Sequence, residues 1–276
     1  MSETFCYRIQ APEADREWLI AELYSLGTLG LEEIDTGLLA YFPPNSPSEP
    51  VRALQTARPG IVIRGPERIP PADWGQEWRR GLRPRRVGRI WIRPSWCESQ
   101  GTPELTIDPQ QAFGSGEHAS TRMALDFLLA DLAPGDSLLD FGTGSGILAL
   151  GALRCGARRA LGCDRELVAC VEARENATRN GLRLSVFCGT LAALRSDETF
   201  DIVVANLLLS ELIPWVPRLA RHTERTFIVA GALARERSSV LELTRAANLS
   251  LRAESRESQG GEVWWSGRFA QGSERQ

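Results

Sequence analysis

The stretch from Ser137 to Leu150, S-L-L-D-F-G-T-G-S-G-I-L-A-L, constrains the fold more than any other part of the chain. An apolar run ending in Asp140-Phe141 gives way to Gly142, Gly144 and Gly146 at alternate positions, and then to a second apolar run. That pattern reads as a buried strand, a tight turn and a helix. The N–H groups at the start of such a helix are free to hold an anionic part of a nucleotide-type ligand.

The spacing narrows the ligand. Dinucleotide-binding loops follow G-x-G-x-x-G, with the third glycine at the helix–strand contact and the helix N-terminus facing a pyrophosphate. Here the third glycine comes one residue early, Ile147 fills the expected place, and Asp140 stands just ahead of the first glycine. A carboxylate beside the loop repels a pyrophosphate but suits a ligand with an ammonium group. S-adenosylmethionine carries an ammonium, a carboxylate and a ribose, and no phosphate. A second acid fits the same ligand: the apolar run Ala157 to Cys163 ends in Asp164. That is about 20 residues past the loop, where βαβ units place the carboxylate that bonds ribose hydroxyls. The plain alternative is a glycine-rich turn that binds nothing, and the two acids argue against it.

The chain of 276 residues has room for two small domains, and 43% hydrophobic with 24% charged residues predicts packed cores. A formal net charge of −3 argues against a surface devoted to nucleic acid. No basic-then-apolar leader and no run of membrane-spanning length occurs, so neither a signal peptide nor an anchor is expected, and a cytoplasmic location follows. The six cysteines form no C-x-x-C pair, which predicts free thiols and no zinc site. All 32 basic residues are arginine and none is lysine. A coding bias accounts for this simply; avoidance of self-labelling by an enzyme that acts on lysine is the sharper explanation.

Residues 4 to 10 predict a strand, and Pro12 opens a helix carrying Trp18, Leu19, Leu23 and Leu26 on one stripe. Strands at 30 to 34 and 37 to 42, a loop rich in proline from Pro43, a helix near 49 to 57 and a strand at 60 to 65 complete a β-α-β-β-α-β order. This is the ferredoxin-like arrangement of a small α+β domain, 1–65. Residues 66–96 follow as a connector in which Trp74, Trp78, Trp91 and Trp96 alternate with Arg79, Arg80, Arg83, Arg85, Arg86, Arg89 and Arg93. Basic and aromatic residues in this mixture suit either RNA contact or the gluing of two domains by long arginine stems.

The remaining residues, 97–276, predict an α/β domain of doubly wound type. Upstream of the glycine loop, A-F-G-S-G-E-H-A-S-T leads into a helix from about Thr121 to Leu132, as a lid or cofactor rim. His118 is a candidate general base or a polar rim residue. Beyond Asp164 come a helix at 165 to 180, a strand at 184 to 187, and the apolar strand F-D-I-V-V-A-N-L, which brings Asn206 to the carboxyl edge where open sheets bind ligands. A helix interrupted by Pro214 and Pro217, a strand at 226 to 230, a helix at 234 to 247 and a hairpin of 249 to 253 with 262 to 269 close the sheet. Residues 271 to 276 predict a frayed tail.

With these pieces in place the chain resembles the bacterial ribosomal protein L11 methyltransferases, the PrmA family. The resemblance rests on A-F-G-S-G-E-H-A-S-T (112 to 121), D-F-G-T-G-S-G-I-L (140 to 148), R-E-N-A-T-R-N-G (174 to 181) and V-V-A-N-L-L (203 to 208). The segments D-W-G-Q-E-W, W-I-R-P-S-W and G-E-V-W add to it. It covers nearly the whole chain, with Ser115 and Ser120 in place of threonines, Ala119 where proline is frequent, and a shorter first domain.

The resemblance implies a class I S-adenosylmethionine-dependent methyltransferase domain behind a substrate-recognition domain, acting on lysine or N-terminal amines of a ribosomal protein. The cofactor positions it implies are Thr121, Gly142, Gly144, Gly146, Asp164 and Asn206, with Asn206 beside the transferable methyl as the catalytic candidate and no metal. Expected partners are the ribosomal protein, free or in the large subunit, and rRNA through the Arg/Trp connector, with no membrane and a monomeric state. The alternatives are a methyltransferase for another protein or a small amine, and a non-catalytic cofactor-binding factor of the ribosome. Gly135-Asp136-Ser137-Leu138 spells a hydrolase motif, but Ser137 falls within the predicted strand and no histidine follows His222 to complete a triad.

Overall fold

The computed structural model describes residues 4–272 apart from 13–14, 35–36, 44–45, 47, 70–81, 109 and 111. Trp74, Trp78, Arg79 and Arg80 of the connector and the last four residues of the tail lie outside the described residues. The chain divides into two compact units, 1–81 and 82–276.

The first unit runs β1 (Thr4–Gln10), α1 (Arg16–Ser25), β2 (Gly30–Ile34), β3 (Gly37–Phe42), α2 (Ser48–Ala57), β4 (Val62–Ile69). Its antiparallel sheet has the order β2-β3-β1-β4, the ferredoxin-like order expected from the sequence. Alternate residues of β3 are buried, which puts Leu38, Ala40 and Phe42 on one face against Leu19 and Leu23 of α1 and Val51 and Leu54 of α2. Tyr7 and Phe42 meet edge to face at 5.6 Å. β4 extends to Ile69, into the segment read as connector.

In the second unit three short strands, β5 (Arg85–Val87), β6 (Ile90–Arg93) and β7 (Glu104–Thr106), form their own sheet. The connector is therefore partly folded: Val87, Ile90 and Ile92 are buried in a core, a pattern too short to show among the arginines. Those arginines bind within this unit. Arg93 pairs with Glu104 at 2.7 Å, Arg85 with Glu117 at 2.9 Å, and Arg89 donates to the carbonyls of Leu132 and Cys155 at 3.4 and 3.5 Å.

The main sheet is built from β8 (Ser137–Phe141), β9 (Arg159–Asp164), β10 (Ser185–Cys188), β11 (Phe200–Asn206), β12 (Thr223–Leu233), β13 (Leu249–Gln259) and β14 (Glu262–Gln271), in the order β10-β9-β8-β11-β12-β14-β13. Five strands are parallel and the final hairpin is antiparallel. Helices α3 (Ala119–Asp131), α4 (Ile147–Arg154), α5 (Leu167–Arg179), α6 (Leu209–Leu212), α7 (Val216–Arg221) and α8 (Arg237–Ala246) connect them.

Side-chain alternation divides the interior in two. Leu138, Ile202, Val204 and Ile228 pack with α3 and α4 on one face; Leu139, Val203, Ala205, Phe227 and Val229 pack with α6, α7 and α8 on the other. Strands covered on both faces need apolar residues at every position, which is why β8 and β11 read as continuous apolar runs. β13 is the exception. It runs to Gln259, well past Ala253, as an edge strand whose alternate positions are polar and exposed. Among the described residues no helix is long and apolar enough to cross a membrane, and no cluster of ligand-type side chains could hold a metal.

Candidate functional site

Strand order reverses between β8 and β11, and a cleft of about 630 Å³ opens there, at the carboxyl ends of the parallel strands. Thr121, Gly142, Gly144, Asp164 and Asn206 all line it; Gly146 does not.

The loop after β8 is shaped by its glycines. Gly142, Gly144 and Gly146 all have positive φ, at 76°, 53° and 81°. A Cβ on Gly144 would lie 2.4 Å from the Phe113 carbonyl oxygen, so only glycine fits. The loop is tied down by bonds from Gly142 N and Thr143 N to Cys163 O (2.9 and 3.0 Å) and from Ser145 N to Phe113 O (2.9 Å). The Phe113–Gly114 segment thus lies directly on the loop, and Ser145 Oγ donates to Gly114 O at 2.5 Å. Gly146 caps α4 and meets Ala173 across the helix contact, with a Cβ position 3.1 Å from that side chain. Its role is packing.

The two acids part company. Asp164 faces the cleft and accepts from Gly144 N at 3.0 Å and Glu166 N at 3.1 Å, which orients its carboxylate and leaves lone pairs for a ligand. Asp140, read from the sequence as an acid beside the ligand's ammonium, is fully buried and does not line the cleft. Its Oδ2 turns into the loop to accept from Thr143 Oγ1 (2.8 Å) and Ala149 N (3.2 Å), and its Oδ1 has no partner. Burial, with the nearby Asp164 charge adding to it, pushes the Asp140 carboxyl up to about 7. Asp140 is a brace for the loop.

Asn206, the last residue of β11, donates from Nδ2 to Thr121 Oγ1 at 3.2 Å. Its Oδ1 is buried and has no partner. An acceptor without a donor at the wall of a cleft is a feature a ligand can complete. The backbone beyond it passes close against Gly231, where a Cβ would lie 2.5 Å from Leu207 O. A glycine inside the apolar run of β12 was the available sequence signal for that close approach.

His118 is the N-cap of α3: its Nδ1 accepts from Ser120 N at 3.3 Å and lies 2.8 Å from Ser120 Oγ. The ring stands edge to face between Phe113 (5.1 Å) and Trp264 (4.4 Å). Burial, and then the Arg122 charge, lower its pKa, with Glu257 opposing, so the ring is neutral near pH 7. The hairpin clasps the same helix start, through Ala119 N to Gln259 Oε1 (2.5 Å), Gln259 Nε2 to Glu117 O (3.1 Å) and the Arg122–Glu257 ion pair. Trp264 and Gln259 were invisible as site residues in the sequence, since nothing local marks a contact this distant.

The residues present fit S-adenosylmethionine. The cleft is of ligand size, a carboxylate stands at the end of β9 where nucleotide-binding βαβ units place the acid that bonds ribose hydroxyls, and the loop glycines let the backbone pack closely along the cleft wall.

Comparison with known proteins agrees. The family model described as ribosomal protein L11 methyltransferase (PrmA) matches residues 9–266. The ribosomal protein L11 methyltransferase of Myxococcus xanthus (strain DK1622) is 31% identical over 263 residues, covering 87% of this chain and 91% of that protein. The one from Azotobacter vinelandii is 40% identical over 190 residues, or 67% of this chain and 65% of its own length. A crystal structure of ribosomal protein L11 methylase from Lactobacillus delbrueckii subsp. bulgaricus has a TM-score of 0.62 at 25% identity, covering 68% of this chain and 98% of that one. A match that takes in both the small α+β unit and the cleft-bearing sheet means that the chain belongs to the ribosomal protein L11 methyltransferase family.

Proposed function

We propose that the chain transfers methyl groups from S-adenosylmethionine to amines of ribosomal protein L11, on lysine side chains, the N-terminus or both. The observation that carries the amine reading is the unpartnered Oδ1 of Asn206 at the cleft wall.

When bound, S-adenosylmethionine supplies an electrophilic methyl on a sulfonium whose sulfur leaves as a neutral thioether. Gly142 and Gly144 would carry the cofactor along the loop's backbone, and the Asp164 carboxylate would accept hydrogen bonds from its ribose hydroxyls. The acceptor presents a different problem. A lysine amine with a pKa of about 10.4 is protonated at neutral pH, and removing that proton costs about 4 to 5 kcal/mol. A carboxylate against the nitrogen would raise the cost further, whereas a neutral oxygen adds much less to it. Asn206 Oδ1 is such an oxygen: it accepts an N–H of the neutral amine and aims the lone pair along the line of attack. Thr121, fully buried, holds the amide in that orientation.

In this reading the small α+β domain expected at 1–65, within the first unit of 1–81, recognises the ribosomal protein, and the second unit carries the chemistry. The intramolecular bonds of Arg85, Arg89 and Arg93 support a structural use of those connector residues over rRNA contact. The enzyme works as a cytoplasmic monomer.

The test is incubation of the full chain with purified L11 and methyl-labelled S-adenosylmethionine, followed by peptide mass spectrometry. Label on lysine or N-terminal amines is the expected result. Label on another atom type, or none on L11, would overturn the reading.

A further inference from the structure

The charged side chains lining the cleft fall into two groups. Asp164, Arg165 and Glu166 are consecutive at the end of β9, on the ribose side. Glu211 stands alone on the other side, in the first turn of α6, just beyond Asn206. Its carboxylate is exposed, and no hydrogen bond or ion pair occupies it among the described residues.

Its surroundings suit an alkylammonium. Leu208, 55% exposed, and Trp215 line the same wall. Trp215 is held against Phe141 with ring centroids 5.4 Å apart, and Arg218 lies 5.9 Å from its ring centroid. Two other titratable groups face this side: Arg218, held over the Trp215 ring and forming no ion pair with Glu211 among the described residues, and His118, kept neutral by burial and Arg122. A cation entering here therefore meets a carboxylate that no ion pair occupies, and an apolar wall for its stem.

Resting on the amine reading above, we propose that Glu211 is the specificity-determining counter-ion of the acceptor channel. It draws in a protonated primary amine on a flexible apolar stem, as in a lysine side chain, and positions it beside Asn206, where the amine loses its proton to solvent before its lone pair takes the methyl. The same charge stabilises the ammonium and so opposes deprotonation, which makes Glu211 a positioning residue and not a base.

Steady-state kinetics of the full chain on purified L11, with Glu211→Gln and Glu211→Arg, test this. Glu211→Gln is expected to raise KM for L11 by about 3-fold or more, with kcat undiminished. The pKa governing the rise of kcat with pH should move down in that variant, and added salt should lower kcat/KM less than in the wild type. Glu211→Arg should raise KM further, and S-adenosylmethionine binding by calorimetry should match the wild type in both. An unchanged KM in both variants would overturn the proposal. So would loss of kcat at constant KM, which would mark a base. Failure of the amine reading itself is distinguishable, because the wild type would then place no methyl on nitrogen.

Discussion

Asn206 and Thr121 are joined side chain to side chain, Nδ2 to Oγ1 at 3.2 Å, from opposite ends of an 85-residue separation in the sequence. The bond fixes which way the amide faces and leaves Oδ1 as a buried acceptor at the cleft. Asn206→Ala should keep the thermal transition within a few degrees and lower kcat about 100-fold or more, the scale on which oriented polar groups act in active sites. Thr121→Val, which removes only the brace, should lose less and be partly restored in Thr121→Ser. Near-normal turnover of Asn206→Ala at saturating cofactor would contradict the assigned role.

Gly144 tests the cradle. Its φ of 53° and the 2.4 Å approach of a Cβ to the Phe113 carbonyl leave no room for alanine without moving backbone. Gly144→Ala should cost about 1 to 3 kcal/mol of stability and weaken S-adenosylmethionine binding, both readable by thermal unfolding and calorimetry. Gly135, also at positive φ but with open space around it, should tolerate alanine at a cost set by strain alone, with cofactor binding intact.

Asp140 predicts a pH effect with a definite sign. Its carboxyl titrates near 7 in the fold against an ordinary 3.8, so the folded chain keeps a proton that the unfolded chain releases. The stability this contributes is complete below pH 3.8 and is lost as pH rises through 7, about 4 kcal/mol in all. Asp140→Asn should therefore flatten the fall in stability between pH 4 and 7, measured by denaturant unfolding. Asp136 works oppositely: its hydrogen bond to Arg225 lowers its pKa, and that contribution disappears as pH falls below the ordinary range. Asp136→Asn should cost stability at pH 7 and little in strong acid.

His118 is predicted to be structural. His118→Asn keeps an N-cap acceptor and should retain methyl transfer, while His118→Ala should lose about 1 kcal/mol of stability. Neither should remove an ionisation from the pH profile of kcat. Abolished turnover in His118→Asn with normal cofactor binding would restore the general-base role.

Legibility in the sequence followed the range of the interactions. The glycine loop, Asp164 and Asn206 could be read because a strand–turn–helix unit and a buried parallel strand leave local patterns. The orientation of Asp140 could not, since a carboxylate near a loop can face either the ligand or the loop's own N–H groups. β5 to β7 leave no legible period because each has only three or four residues, and β5 and β6 also lie among arginines. The full length of β13 was hidden because an edge strand with an exposed polar face has half the apolar signal of a buried one. The clasp from Gln259 and Trp264 to the start of α3 joins residues some 140 positions apart, and only tertiary packing creates it.

The cleft between the glycine loop, Asp164 and Asn206 holds S-adenosylmethionine if isothermal titration of the purified full chain shows binding that depends on Asp164. The expected result is a saturable one-site heat, weakened about 10-fold or more in Asp164→Asn, where an amide can keep the bond from Gly144 N but the charge on the ribose hydroxyls is lost. No heat with the wild-type chain, or equal affinity in the two proteins, would contradict it.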